Sequence, residues 1–250
     1  MNEAQENSFD AGSVPVADAQ PTGSKNLIRD FFGIILDPIK AFRNILAANY
    51  WVGILLVIII VTAALEQIYH PVVVDMAVAK MSEKAGENTQ AIQGILSFYI
   101  NPAISRPAFF FFTAVSQVGY MLIWTVLAFF IGSVAFGGTA KFKGVWVVCC
   151  WAYAIILLQQ IVKTPLILAT KSVEAGLNLG VIFTENMVGA SLHKAMAVID
   201  LFGIWYFIVA GIGLAILYKF STKKGIGISF IIWLLLTIVG IISVLISGAV

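Results

Sequence analysis

Charged side chains are scarce in this chain of 250 residues. Only 11% of the residues are Asp, Glu, Lys or Arg, whereas 60% are hydrophobic, and a soluble domain is about a quarter charged. The net charge of +2 also argues against a nucleic-acid-binding surface. The composition therefore predicts an integral membrane protein whose first partner is the lipid bilayer, with no nucleic acid among its partners.

Cysteine and catalytic motifs are also scarce. Cys149 and Cys150 are adjacent in an apolar run. Neighbouring side chains on a helix point about 100° apart, so these two are not placed to form a disulfide. The sequence contains no HExxH, GxSxG or Walker loop, and no GxGxxG placed after a strand. We therefore expect no enzyme, no cofactor and no metal site.

Five long apolar runs predict an all-α fold, a polytopic membrane bundle of five transmembrane helices. A hydrocarbon layer about 30 Å thick takes about 20 helical residues to cross. Pro71 is expected to end the first span, and residues 70–107 are expected to form an outer helical loop. The membrane domain covers residues 49–250, and its predicted spans are 51–69, 108–136, 144–169, 195–217 and 226–245.

Two further segments precede this domain. Residues 1–25 are acidic and poor in apolar side chains, which predicts a disordered cytoplasmic tail. Residues 26–48 predict two amphipathic interfacial helices, since apolar residues recur at helical spacing before and after a break at Asp37-Pro38. Arg29, Lys40 and Arg43 lie among the polar positions and are candidates for contact with lipid headgroups. A helix that covers the ends of the bundle is the alternative interpretation.

The distribution of basic residues predicts the orientation. Nine of the 15 Lys and Arg residues lie in the N-terminal region and in the second and fourth turns between spans. Five lie on the opposite side, and Lys163 lies within a span. By the positive-inside rule the N-terminus is cytoplasmic and the C-terminus is outside.

Three charged residues fall within the predicted spans. Glu66, Lys163 and Asp200 are all expected in the outer part of the bilayer. A charged side chain at the centre of a spanning helix costs roughly 2.5–3.5 kcal/mol, so such groups usually form pairs or face water. Lys163 is therefore expected to pair with Glu66 or Asp200, and the three form a candidate polar cluster or ion path. The alternative is that both acids reach the interface while Lys163 extends outward. Glutamines near the cluster are Gln67, Gln159 and Gln160.

Small residues four apart occur on two of the spans. Ala128 and Gly132 have this spacing on the second span, and Gly211 and Ala215 have it on the fourth. Such spacing lets two helices approach closely, so both pairs are candidate contact points between spans.

Three segments carry motifs that recur together in a known family. With them the chain resembles the Yip-domain family of five-span membrane proteins over about residues 26–248. The segments are Asp37-Pro38 with Ala41-Phe42, Ile45 and Trp51; Phe142, Gly144 and Trp151-Ala152-Tyr153-Ala154 with Pro165 downstream; and Asp200-Leu201-Phe202-Gly203-Ile204-Trp205, followed by Gly211-Ile212-Gly213-Leu214 and Lys223-Lys224-Gly225.

The resemblance implies a five-span fold without catalytic residues. Eukaryotic relatives are linked to vesicle trafficking and to small GTPases of the Rab type, and their cytoplasmic tails are longer. The short tail here resembles the bacterial members, so GTPase binding is not implied. We expect a non-enzymatic protein that organises the membrane or binds membrane or cytoplasmic protein partners, with a homo-oligomer left open. The alternative is a small transporter or channel-like protein that uses the charged cluster.

Overall fold

The computed structural model describes residues 23–84 and 89–248, so the predicted tail at residues 1–25 lies almost wholly outside the described residues. The described chain folds as a succession of α-helices. They are α1 (Leu27–Leu36), α2 (Pro38–Ala48), α3 (Val52–Lys84), α4 (Thr89–Ile100), α5 (Pro102–Phe130), α6 (Phe142–Ala152), α7 (Ala154–Thr170), α8 (Glu185–Val188), α9 (Ala190–Ala197), α10 (Leu201–Tyr218) and α11 (Thr222–Gly248).

Five helical segments are long and apolar enough to cross a membrane, which confirms the predicted all-α, five-span architecture. The second of them continues α5 through a π turn at Ile131–Ala135, and the third combines α6 with α7. The segments are Val52–Ser82, Pro102–Ala135, Phe142–Thr170, Leu201–Tyr218 and Thr222–Ser243.

Pro71 does not end the first spanning helix, contrary to expectation. α3 continues through it from Val52 to Lys84. Proline removes one intrahelical hydrogen bond, but the turn around it is held by packing, since Val72 and Tyr69 bury apolar surface against Ile167 of α7. The segment expected as an outer loop, 70–107, accordingly holds the end of α3, all of α4 and the start of α5.

The segment predicted as the fourth span, 195–217, contains a break. α9 ends at Ala197, and α10 begins at Leu201. Asp200 fixes this start as the N-cap of α10, because its side chain accepts a hydrogen bond from the backbone N–H of Gly203. The residues before it belong to the loop 171–200, where Asn178 forms an isolated antiparallel bridge with Asp200.

The α1–α2 hairpin packs into one end of the bundle. Ile34, Phe42 and Ile45 are fully buried, and α2 contacts α6 and α10. A β-carbon at Gly213 of α10 would collide with Phe42 and with Val148 of α6. The glycine therefore makes room for the Phe42 ring between two spanning helices. We call this end of the bundle the hairpin side, and the end that holds the loop 171–200 the loop side.

α10 and α11 cross at a close contact between small residues. A β-carbon at Gly211 would meet the backbone of Ile226 at 2.5 Å. A β-carbon at Gly225 would meet the methyl group of Ala215 at 2.6 Å. The spacing of Gly211 and Ala215 therefore marks a helix crossing, as the sequence predicts.

Replacing Gly211 by alanine is expected to destabilise the protein by about 1–3 kcal/mol, because the methyl group would press on backbone atoms that cannot turn away. The measurement is the thermal unfolding midpoint of the purified protein in detergent. Gly227→Ala is the matched control, since Gly227 lies on α11 with open space at its β-carbon. Equal midpoints for the two variants would contradict a close crossing.

Candidate functional site

The carboxylate of Asp30 is buried on the hairpin side. The residue is only 2% exposed. Its carboxylate accepts hydrogen bonds from Arg29 Nε at 2.9 Å, from Asn44 Nδ2 at 3.1 Å and from the Tyr50 hydroxyl. Donors to a buried carboxylate replace the water it has lost. They come from α1, from α2 and from the residues before α3, so Asp30 joins three parts of the chain.

Local sequence signals place this carboxylate. Asn26 caps α1 by accepting a hydrogen bond from the backbone of Arg29 at 2.9 Å, and Asp37 caps α2 by accepting one from Lys40 at 3.1 Å. Asn49 ends α2 in the left-handed conformation, with φ of 48°. The two caps and the left-handed turn fold the segment into a hairpin that brings Asn44 to Asp30.

Tyr50 connects the hairpin to the third span. Its backbone carbonyl accepts a hydrogen bond from Trp151 Nε1 at 2.8 Å, and the two rings meet edge to face with their centroids 5.1 Å apart. Burial and the hydrogen bond to Asp30 raise the pKa of the Tyr50 hydroxyl above its ordinary value. The hydroxyl therefore remains a protonated donor at neutral pH.

The three candidate headgroup contacts lie at the surface of the hairpin. Arg29, Lys40 and Arg43 are all exposed. Arg29 also has a structural role, because its guanidinium reaches the carbonyl of Ser24 at 2.8 Å as well as the Asp30 carboxylate. The hydrogen bond to Asp30 raises the pKa of Arg29.

A row of exposed apolar side chains runs along α1. Ile28, Phe32 and Leu36 follow one another at four-residue spacing and are 70%, 55% and 81% exposed. We call these three residues the α1 stripe. Ile34, on the opposite face of the helix, is fully buried in the bundle. α1 is therefore apolar both toward the bundle and away from it.

On the loop side the structure brings Lys163 and Asp200 together. They line the same cavity of about 30 Å³, with Gln159 and Asn178 among the other lining residues. This volume holds about two water molecules. Gln159 Nε2 donates a hydrogen bond to Asp200 Oδ2 at 2.5 Å. No direct salt bridge joins Lys163 to Asp200 within the described part of the chain.

Glu66, the third member of the predicted cluster, does not line this cavity. Its carboxylate accepts a hydrogen bond from the hydroxyl of Thr113 on α5. The neighbouring Gln67 donates to the carbonyl of Arg106 at 3.1 Å, also on α5. The structure therefore brings two of the three residues together and places Glu66 at the interface between α3 and α5.

A profile of the Yip1 domain matches residues 32–244. The chain belongs to the Yip1 domain family. The match runs from α1 to α11 and includes all five spanning segments, so the resemblance seen in the sequence is confirmed. No curated protein and no solved structure matches the chain.

The Asp30 site of this Yip1 protein is missing from the sequence-based prediction, which took only the basic residues of the hairpin as functional candidates. A signal was available. Asp30 is four residues before Ile34 and three after Leu27, which places it in the middle of the apolar face of α1. A single acid within such a face predicts a buried carboxylate with dedicated donors. Asn44 and Tyr50 carry no comparable signal, because their role depends on how the hairpin folds.

Asp30→Ala is expected to destabilise the protein by about 3–5 kcal/mol, because the donors from Asn44 and Tyr50 then face an empty buried site. It should also speed tryptic cleavage at Lys25 and Arg29. Asp37→Ala is the matched control, since Asp37 is an exposed N-cap whose loss costs about 1 kcal/mol. The measurements are the unfolding midpoint and the cleavage rate in detergent. Equal effects of the two substitutions would contradict the anchoring role of Asp30.

Alkaline pH is expected to weaken the same anchor. Because folding raises the pKa of Tyr50, its contribution to stability is complete below the ordinary tyrosine pKa of about 10 and is lost as the pH rises above it. The unfolding midpoint of the wild type should therefore fall more steeply above pH 10 than that of Tyr50→Phe, which lacks the hydroxyl. Parallel curves for the two proteins would show that Tyr50 makes no such contribution.

Proposed function

We propose that this Yip1 protein is a non-enzymatic membrane-organising protein that embeds its α1–α2 hairpin in the cytoplasmic leaflet of a bacterial inner membrane. The observation that carries the proposal is the two-sided packing of α1. One face is anchored to the bundle through Ile34 and Asp30, and the other presents the α1 stripe outward. An apolar row of this kind is suited to the acyl-chain boundary of a leaflet.

The charge distribution supports a cytoplasmic hairpin. The turns that share the hairpin side carry Lys141, Lys143 and Lys219, and basic residues concentrate on the cytoplasmic side of membrane proteins. Lys40 and Arg43 are exposed on α2, beside the apolar surface of α1. A basic residue near an anionic leaflet contributes about 1 kcal/mol of attraction. In this arrangement the stripe enters the leaflet while the basic side chains meet its headgroups.

The anchor gives the hairpin an effect that a free amphipathic helix lacks. A free helix moves sideways in the leaflet, whereas this hairpin is fixed to α3 through Tyr50 and to α6 through Trp151. A fixed helix that occupies area in one leaflet spreads the headgroups beside the bundle and favours curvature toward that side. The predicted tail, residues 1–25, precedes the hairpin in the sequence and is a candidate segment for binding membrane or cytoplasmic protein partners.

The depth of the α1 stripe is measured with single cysteines that carry a spin label in vesicles of phosphatidylethanolamine and phosphatidylglycerol. Phe32→Cys is expected to be accessible to oxygen and shielded from a water-soluble nickel reagent, because oxygen concentrates in the bilayer. Ala47→Cys, on an exposed position of α2, is the control and should show the reverse. The native Cys149 and Cys150 are fully buried, so they are shielded from the spin label. Nickel access at both positions would place the hairpin in water and overturn the proposal.

The organising activity is tested by the size of reconstituted vesicles, seen by electron cryo-microscopy. Wild-type protein should give smaller vesicles than lipid alone. The combined change Ile28→Asn, Phe32→Asn and Leu36→Asn should abolish the effect without unfolding the bundle, because these side chains face away from it. The control is Ile28→Leu, Phe32→Leu and Leu36→Ile, which keeps the stripe apolar. Equal vesicle sizes for all three proteins would contradict the proposal.

A small transporter or channel-like protein is the second candidate, favoured by the cavity that Lys163 and Asp200 share. Under this alternative, ion flux into vesicles should depend on Lys163 and should be lost in Lys163→Met with the protein still inserted. A volume of about 30 Å³ admits water but forms no path across the bundle. The geometry therefore supports the membrane-organising function more directly.

A further inference from the structure

The interface between α3 and α5 is apolar toward the hairpin side and polar toward the loop side. The helices run antiparallel, with Glu66 bonded to Thr113 and the His70 ring edge-on to Phe109 at 4.9 Å. Ile54, Ile58 and Met121 are fully buried in the apolar part. We call the polar part the α3–α5 seam. Its residues are Thr62, Glu66 and His70 of α3 and Ser105, Thr113 and Gln117 of α5.

Several polar atoms of the seam are buried without a partner. Among the described residues, His70 Nε2, Ser105 Oγ and Gln117 Oε1 receive no hydrogen bond, although these residues are 4%, 0% and 9% exposed. A buried polar atom without a partner costs about 1–3 kcal/mol, and sites that contain several of them commonly bind water or a small polar ligand. The unpartnered atoms of the seam therefore offer hydrogen-bonding positions to water on the loop side of the α3–α5 interface.

The carboxyl groups of Glu66 and Asp200 have different surroundings. Asp200 accepts a backbone N–H at the start of α10 and shares its cavity with Lys163, both of which favour a carboxylate anion. Among the described residues, Glu66 accepts a hydrogen bond from the hydroxyl group of Thr113. Hydroxyl donors are compatible with a neutral carboxylic acid as well as with an anion.

No cation compensates Glu66 within the described residues. The basic residue of α5, Arg106, lies close enough to His70 to repel a positive charge on its ring. Lys163 of α7 interacts with Asp200 and Glu174. An uncompensated carboxylate inside a membrane costs several kcal/mol, whereas the neutral acid does not. The remaining titratable neighbours of Glu66 are Tyr69 and His70 on its own helix.

We propose that Glu66 is a proton-binding site within the α3–α5 seam, which exchanges its proton with the loop side of the membrane. The protonated acid keeps one oxygen to accept the Thr113 hydrogen bond. Release of the proton leaves an anion between α3 and α5 that only water can solvate. This site does not depend on the membrane-organising function, and its failure would leave that proposal unchanged.

The test is chemical labelling with dicyclohexylcarbodiimide, a lipid-soluble reagent that reacts with protonated carboxyl groups in apolar surroundings. The wild-type protein is reconstituted in phosphatidylethanolamine and phosphatidylglycerol vesicles, and the label is located by peptide mass spectrometry. At about pH 7 we expect at least about tenfold more label on Glu66 than on Asp200. The label on Glu66 should fall as the pH is raised and the acid ionises.

Glu66→Gln is the matched variant. Its amide oxygen still accepts the Thr113 hydrogen bond, so the variant should insert into the membrane and elute from a sizing column as the wild type does. Position 66 should then carry no label. Absence of label on Glu66 in correctly folded wild-type protein would overturn the proposal. So would equal labelling of Glu66 and Asp200. Protection of Glu66 by sodium ions at constant pH would show a metal-cation site in place of a proton site and would also overturn it.

Discussion

A buried carboxylate at the entrance to the membrane domain couples the N-terminal hairpin to the spanning helices. Asp30 receives donors from Arg29, Asn44 and Tyr50, and the Tyr50 carbonyl in turn receives the indole of Trp151. A buried charge that loses its donors is strongly destabilising. The position of the hairpin and the start of the first span are therefore fixed together, and the outward direction of the α1 stripe follows from both.

Acidic side chains meet three different environments in this Yip1 protein. Asp30 has several donors and connects elements of the chain, whereas Asp200 accepts the backbone N–H of Gly203 in the first turn of α10 and determines where that helix begins. Glu66 has a hydroxyl partner, Thr113, and no compensating cation among the described residues. Burial alone does not assign a role to an acid in a membrane, because the donors around it decide which protonation state is stable.

The sequence predicts the spans better than it predicts the sites. The apolar runs gave five crossings because a crossing requires only about 20 consecutive apolar residues. Arg29, Lys40 and Arg43 are exposed on the hairpin, and their contact with lipid headgroups stays a prediction. The sequence allowed Lys163 to lie beside either Glu66 or Asp200, and it carried no signal that favoured one over the other. The structure places Lys163 in the same cavity as Asp200. Pro71 failed as a stop signal because packing of Val72 holds the helix together.

The sequence by itself determined how many times the chain crosses the membrane, where its amphipathic hairpin lies along the chain, and which Yip1-like motifs it carries. Each of these depends on composition or spacing within a short stretch of residues. Only the tertiary structure decided that Asp30 is enclosed, that Phe42 enters the gap at Gly213, and that Glu66 faces Thr113. Those facts depend on which helix faces meet, and contacts between residues far apart in the chain are not encoded in any one segment.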